Sequence, residues 1–135
     1  MAGRQHRELW YQEQWCAERG GRSEVVLRDG TRVDCVTDTH AVEFDFADKW
    51  AEAIGQSLHY ARQTGFRAGV VLIAEDVRDR RYWDRLMGNI EYFGLPIDVW
   101  QVGAGRDGEG SMEDGQRSMG EREEVAPVVK QVHFQ

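Results

Sequence analysis

The chain is poor in the residues that mark several specialised classes. It has two cysteines among its 135 residues. Two cysteines do not make the disulfide framework of a small secreted scaffold or the ligand quartet of a zinc site. Cys16 falls in a helical stretch beside Trp15 and Ala17, and Cys35 in a strand-like stretch between Val33 and Val36. Both read as buried thiols acting as small apolar side chains. No run approaches the roughly 18 apolar residues of a membrane span. The first residues, Met-Ala-Gly-Arg-Gln-His-Arg, are polar and lack the apolar core of a secretory signal, so a cytoplasmic protein with no membrane partner is expected. The four histidines show no ligand spacing, and no internal repeat appears.

Basic excess is missing too. The net charge is −7, from 17 Lys+Arg against 24 Asp+Glu. Residues 1–102 hold 13 basic and 17 acidic residues, and residues 103–135 hold 4 and 7, so neither part is basic. A surface that grips a polyanion normally presents a basic field. Electrostatics therefore argue against tight, sequence-independent DNA binding. Arg78, Arg80 and Arg81 form the one basic cluster.

What is present fits a single folded domain over residues 1–102, followed by a tail. Apolar residues make up 41% and charged residues 30% of the chain, ordinary for a globular protein that can bury a core. Residues 5–19 read as a helix carrying Leu9, Trp10, Glu13, Cys16 and Ala17, stopped by Gly20-Gly21. Strands are expected over 23–28 and 31–37, joined by a two-residue Asp29-Gly30 hairpin turn. A third strand, His40–Phe46, alternates strictly. Val42, Phe44 and Phe46 point to one side, and Ala41, Glu43 and Asp45 to the other.

A helix over 48–64 follows, with Asp48 as N-cap and Gly65 past its end. Its apolar stripe is Trp50, Ile54, Leu58 and Ala61, and Lys49, Ala53, Gln56 and Tyr60 form a neighbouring stripe. Residues 67–74 are almost unbroken apolar, as in a central strand buried on both faces. A helix over 79–93 and a strand over 96–102 complete the domain. The fold class is α/β, an αβββαβ core with an added αβ unit and a mixed central sheet flanked by helices. Residues 103–135 read as a disordered acidic, Gly-rich tail with a short apolar end suited to docking on a protein partner.

The informative stretch is residues 34–49. It sets Asp34, Glu43 and Asp45 on neighbouring apolar strands and Lys49 at the start of the next helix. Strands favour β-branched and aromatic residues, and burying a lone carboxylate is costly. Acids converging on one sheet face therefore suggest a divalent-metal site. With oxygen ligands and no histidine cluster, Mg²⁺ or Mn²⁺ suits it better than Zn²⁺.

Element order and motif together resemble the PD-(D/E)XK nuclease superfamily, and its restriction-endonuclease-like fold, over residues 5–102. In that family an acid on the second strand and an Asp/Glu-x-Lys motif on the third hold one or two Mg²⁺ ions. Asp34 matches the first acid and Glu43 the second. Gln56 and Tyr60 match the Gln-x-x-x-Tyr helix signature of RecB-type members. A first-helix glutamate completes the site in Holliday-junction resolvases, and Glu8 or Glu13 is the candidate here.

The lysine position holds Asp45. Either Lys49, four residues on, reaches back to replace it, or Asp45 is a further metal ligand. The resemblance implies Mg²⁺-dependent hydrolysis of DNA phosphodiester bonds by Asp34, Glu43, Lys49, Gln56 and Tyr60, with metal on Asp34, Glu43, Asp45 and Glu8 (or Glu13). It also implies DNA as partner and a homodimer. The alternative is a catalytically degenerate nuclease-fold interaction module.

Overall fold

The computed structural model describes residues 3–103. The tail expected beyond them, with its apolar docking end, lies outside the described residues. The chain runs α1 (Glu8–Glu18), β1 (Arg22–Val26), β2 (Arg32–Val36), β3 (His40–Phe46), α2 (Trp50–Thr64), β4 (Arg67–Ile73), α3 (Arg80–Phe93) and β5 (Ile97–Val102). Short 3₁₀ turns, Ala47–Lys49 and Val77–Asp79, lead into α2 and α3. The five strands form one mixed sheet in sequential order. β1, β2 and β3 pair antiparallel, and β3, β4 and β5 pair parallel. This is the α/β mixed sheet expected from the order of elements.

Alternation along the strands sorts the core into two layers. Ala68, Val70 and Leu72 of β4 pack under α2 and α3 with Ala53, Leu86 and Ile90. Val71 and Ile73 face the other way, against Tyr11 and Trp15 of α1 and Phe44 of β3. β4 is thus covered on both faces, which its unbroken apolar run requires. At the opposite strand ends, Asp98 of β5 accepts from Arg67 of β4 and lies 2.7 Å from His40 Nε2 of β3, so one carboxylate ties three strands.

Several local expectations change. In α1 the inward face is Tyr11, Gln12, Trp15 and Cys16, while Leu9 and Trp10 are exposed. The apolar spacing of the sequence fits either stripe, and contact with β3 and β4 selects the second. The β1–β2 connection is longer than a two-residue turn: Leu27 N–H donates to the Thr31 carbonyl, and Asp29 caps Thr31. Asp48 is not an N-cap. It sits inside the 3₁₀ turn, and its carboxylate pairs with Arg4 at 3.2 Å. Gly65 does close α2, at φ 84°, a left-handed conformation that suits a residue without Cβ.

The cysteines are the largest correction. They are not separate thiols; Cys16 and Cys35 are joined in a disulfide. The chain reverses at Gly20-Gly21 and β1 then pairs with β2, Ser23 opposite Cys35. That return lays the end of α1 over β2. A Cβ on Gly21 would stand 2.8 Å from both sulfurs, so the close approach needs glycine there.

Purified, denatured but unreduced protein is expected to show no free thiol. Replacing both cysteines by alanine should lower unfolding stability by about 3 kcal/mol, the scale for a loop of this length, read from urea melts. Two titratable thiols in the untreated protein would contradict the pairing.

Candidate active site

The site grows from a break in sheet pairing. β1 and β2 stay in register on both sides of Asp34, through Ser23–Cys35 and Val25–Val33. The residue between, Glu24, has φ 55°, the left-handed region that a glutamate adopts only at a cost. Val33 packs with Ala41 and Tyr60, whereas Cys35, two residues on, packs with Val42 on the α1 side. A regular strand puts i and i+2 on one face, so β2 turns over at Asp34. Its pairing with β3 comprises Cys35–Val42 and Val36–Ala41. Beyond that point Asp34 Oδ2 accepts from the Phe44 N–H at 2.7 Å. The side chain takes the place of a backbone acceptor.

β3 supplies the other acids. Glu43 and Asp45 lie opposite Val70 and Leu72 of β4, on the face that packs under α2 and α3. Glu43 is 5% exposed. Burial, then the charges of Asp34 and Asp45, push its carboxyl far above the usual range. It therefore keeps its proton at neutral pH, and it hydrogen-bonds to both neighbours. Burial raises Asp34 and Asp45 to about 6 as well, with the hydrogen bonds from Phe44 and Glu43 opposing the rise in Asp34. Asp45 Oδ2 is buried without a hydrogen-bond partner.

Glu8, in the first turn of α1, joins from the opposite layer. Burial, with the charges of Asp34, Asp45 and Glu24, lifts it to about 7. Glu13 is exposed and plays no part in this group. Lys49 is exposed at the end of its 3₁₀ turn, yet its charge lowers both Glu8 and Asp45. It stands at the rim of the acids, not inside them. Tyr60 is buried, and its hydroxyl is pushed up to about 12, first by burial and then by the charges of Glu43, Asp34 and Asp45. Gln56 is exposed; the inward residues of α2 are Ala53, Ser57 and Tyr60, so the expected stripe of Lys49, Ala53, Gln56 and Tyr60 is split, with Ala53 and Tyr60 facing in and Lys49 and Gln56 facing out.

Gln12 was not among the residues expected at the site. It is 2% exposed, one helical turn after Glu8, and its Nε2 donates to Glu24 Oε2 at 2.7 Å and to the Asp34 carbonyl at 3.0 Å. It braces the turned-over stretch of β2 from α1. A polar residue on an otherwise apolar helix face was the available signal.

Among the described residues, no group of three or more His, Cys, Asp or Glu side chains is arranged to hold a metal ion. The same carboxyls nonetheless suit a hard divalent cation chemically. They supply oxygen donors only, one buried oxygen has no partner, and bound positive charge reverses the local pKa logic. Among the described residues no helix is long and apolar enough to cross a membrane. No known family, curated protein or solved structure matches this chain.

Two predictions follow from the burial of these acids. Glu8, Asp34 and Asp45 bind protons more tightly folded than unfolded, so their contribution to stability is fully present below the unfolded values of 3.8 to 4.5 and is lost as pH rises through about 6 to 7. Metal-free protein should therefore melt progressively earlier between pH 5 and 8, and Asp45→Asn should flatten that decline. A melting temperature independent of pH in this window would refute the burial argument. At about pH 4.5, Asp34→Ala should cost about 1–3 kcal/mol by stranding the Phe44 N–H, while Asp34→Asn, which keeps an acceptor, costs much less.

Proposed function

We propose that this chain is a Mg²⁺- or Mn²⁺-dependent nuclease of the PD-(D/E)XK type, with a restriction-endonuclease-like core. The observation that carries the reading is the cluster of buried and half-buried carboxyl groups of Glu8, Asp34, Glu43 and Asp45, with Lys49 at its rim. Asp34 meets a demand of the sheet, the Phe44 N–H, but no hydrogen bond of the sheet calls for acids at Glu43 and Asp45. Apolar residues would fill β3 at lower cost, since buried carboxyls are held protonated against their own chemistry. A site for a divalent cation explains their retention.

Asp34, Glu43, Asp45 and Glu8 would hold the ion, which when bound polarises a phosphoryl oxygen and makes water more acidic. The residues themselves do the rest. Asp34 is fixed by Phe44, and Gln12 fixes the backbone that carries it. Lys49, on a flexible stem at the rim, supplies positive charge to a phosphate where the third-strand lysine of the family would have stood. Tyr60 stays protonated and can donate a hydrogen bond into the site. Gln56, exposed, contributes at most from outside.

The second reading is a degenerate module on the same fold. Asp45 in the lysine position and the absence of a ready ligand arrangement among the described residues favour it.

Millimolar Mg²⁺ or Mn²⁺ should raise the melting temperature, because an ion that binds only the folded state stabilises it. Purified protein should then cut DNA, with Asp34→Ala or Glu43→Ala reducing the rate by about 100-fold or more and Lys49→Ala acting in the same direction. A metal-dependent melting shift without cleavage of linear, single-stranded or branched DNA would select the degenerate module. Absence of both would remove the metal reading.

A further inference from the structure

The basic cluster noted in the sequence acquires a position in the fold. Arg78 lies in the 3₁₀ turn before α3, and Arg81 and Tyr82 lie in the first turn of α3. They line an open cavity of about 330 Å³ whose wall also includes Arg4 and Asp48. Asp48 is the chain neighbour of Lys49, about 3.8 Å away along the backbone. The cavity lies past the ends of β3 and β4, next in the chain to the lysine that flanks the acids.

Its wall carries four carboxylates, and each is already engaged. Asp48 pairs with Arg4. Glu75 accepts from the N–H groups of Gln5 and His6 and from the Tyr11 hydroxyl. Asp76 pairs with Arg78, and Asp79 accepts from the N–H groups of Glu75 and Asp76. Arg81 has no carboxylate within ion-pair distance among the described residues. Its guanidinium rests 4.7 Å from the ring centroid of Tyr82 and donates to that residue's hydroxyl. A planar cation left over beside an aromatic face is suited to an anion attached to a flat ring.

We propose that this cavity binds one nucleotide of an unpaired nucleic-acid strand that runs on into the acid site, with Arg81 on its phosphate and the Tyr82 ring against its base. The volume sets the occupant, since about 330 Å³ is at the small end of ligand pockets. That is room for a single nucleotide. Tyrosine stacking on a base and a guanidinium on a phosphate are the usual elements of single-strand binding. One local cation of this kind does not require the basic field that the chain lacks. The inference rests on the nuclease reading for the direction of the strand, but not for the binding itself.

The test is fluorescence anisotropy of a short labelled single-stranded oligodeoxynucleotide with the full chain in EDTA, where metal-dependent cleavage is off. Arg81→Ala should weaken binding on the order of 10-fold and lower the salt slope by about 1. Arg80→Ala, whose guanidinium pairs with Asp84 outside the cavity lining, should bind as the parent does. Tyr82→Leu should weaken binding with a smaller change in salt slope, and it serves as the second variant if Arg81→Ala melts early. Equal binding by the parent and both cavity variants overturns the proposal. So does a parent that prefers duplex, binds no strand, or binds only inorganic phosphate. Strand binding lost in Arg81→Ala, in a parent that never cleaves with Mg²⁺, keeps the cavity and removes the nuclease. Cleavage indifferent to Arg81 does the reverse.

Discussion

The bond from the Phe44 N–H to the Asp34 carboxylate holds the rest of the site in place. It stands where β2 and β3 stop pairing through their backbones. Without an acceptor there, a buried donor would be stranded in the middle of the sheet. With it, β2 can turn over, and Glu8 of the α1 layer feels the charges of Asp34 and Asp45. The left-handed conformation of Glu24 is the local cost of that turn, and Gln12 offsets part of it by bonding both Glu24 and the Asp34 carbonyl.

The disulfide belongs to the same construction. Cys35 follows Asp34 directly, and Cys16 is one helical turn past Gln12. The covalent link and the Gln12 bonds therefore fasten α1 to β2 at adjoining places. The helix that brings Glu8 to the acids is fixed relative to Asp34 at its far end, so the spacing of the two carboxyls is set by more than packing. At the other end of the sheet, Asp98 with His40 and Arg67 binds the parallel strands together and leaves the acid end to bear the electrostatic strain.

That strain is considerable. Three acids are lifted to about 6 or 7 and Glu43 much further, all by burial first; neighbouring negative charge adds to the rise, and hydrogen bonds hold Asp34 and Asp45 back. Protonation of Glu43 relieves part of it. The position of Lys49 fits this view. It does not neutralise the acids by direct pairing, and it remains available at the rim.

The sequence by itself determined the element order, the mixed sheet and the double-sided burial of β4, because strand alternation and unbroken apolar runs are local signals. It also marked Asp34, Glu43 and Asp45, since carboxylates inside apolar strands are conspicuous wherever they fall. What depends on two distant segments meeting was not legible there. The burial of Glu8 and exposure of Glu13, the exposure of Gln56, the bracing by Gln12 and the Cys16–Cys35 bond all follow from how α1 and α2 are rotated on the sheet. Helical spacing allows several inward faces. Contact with the strands chooses among them, and no single helix carries that information.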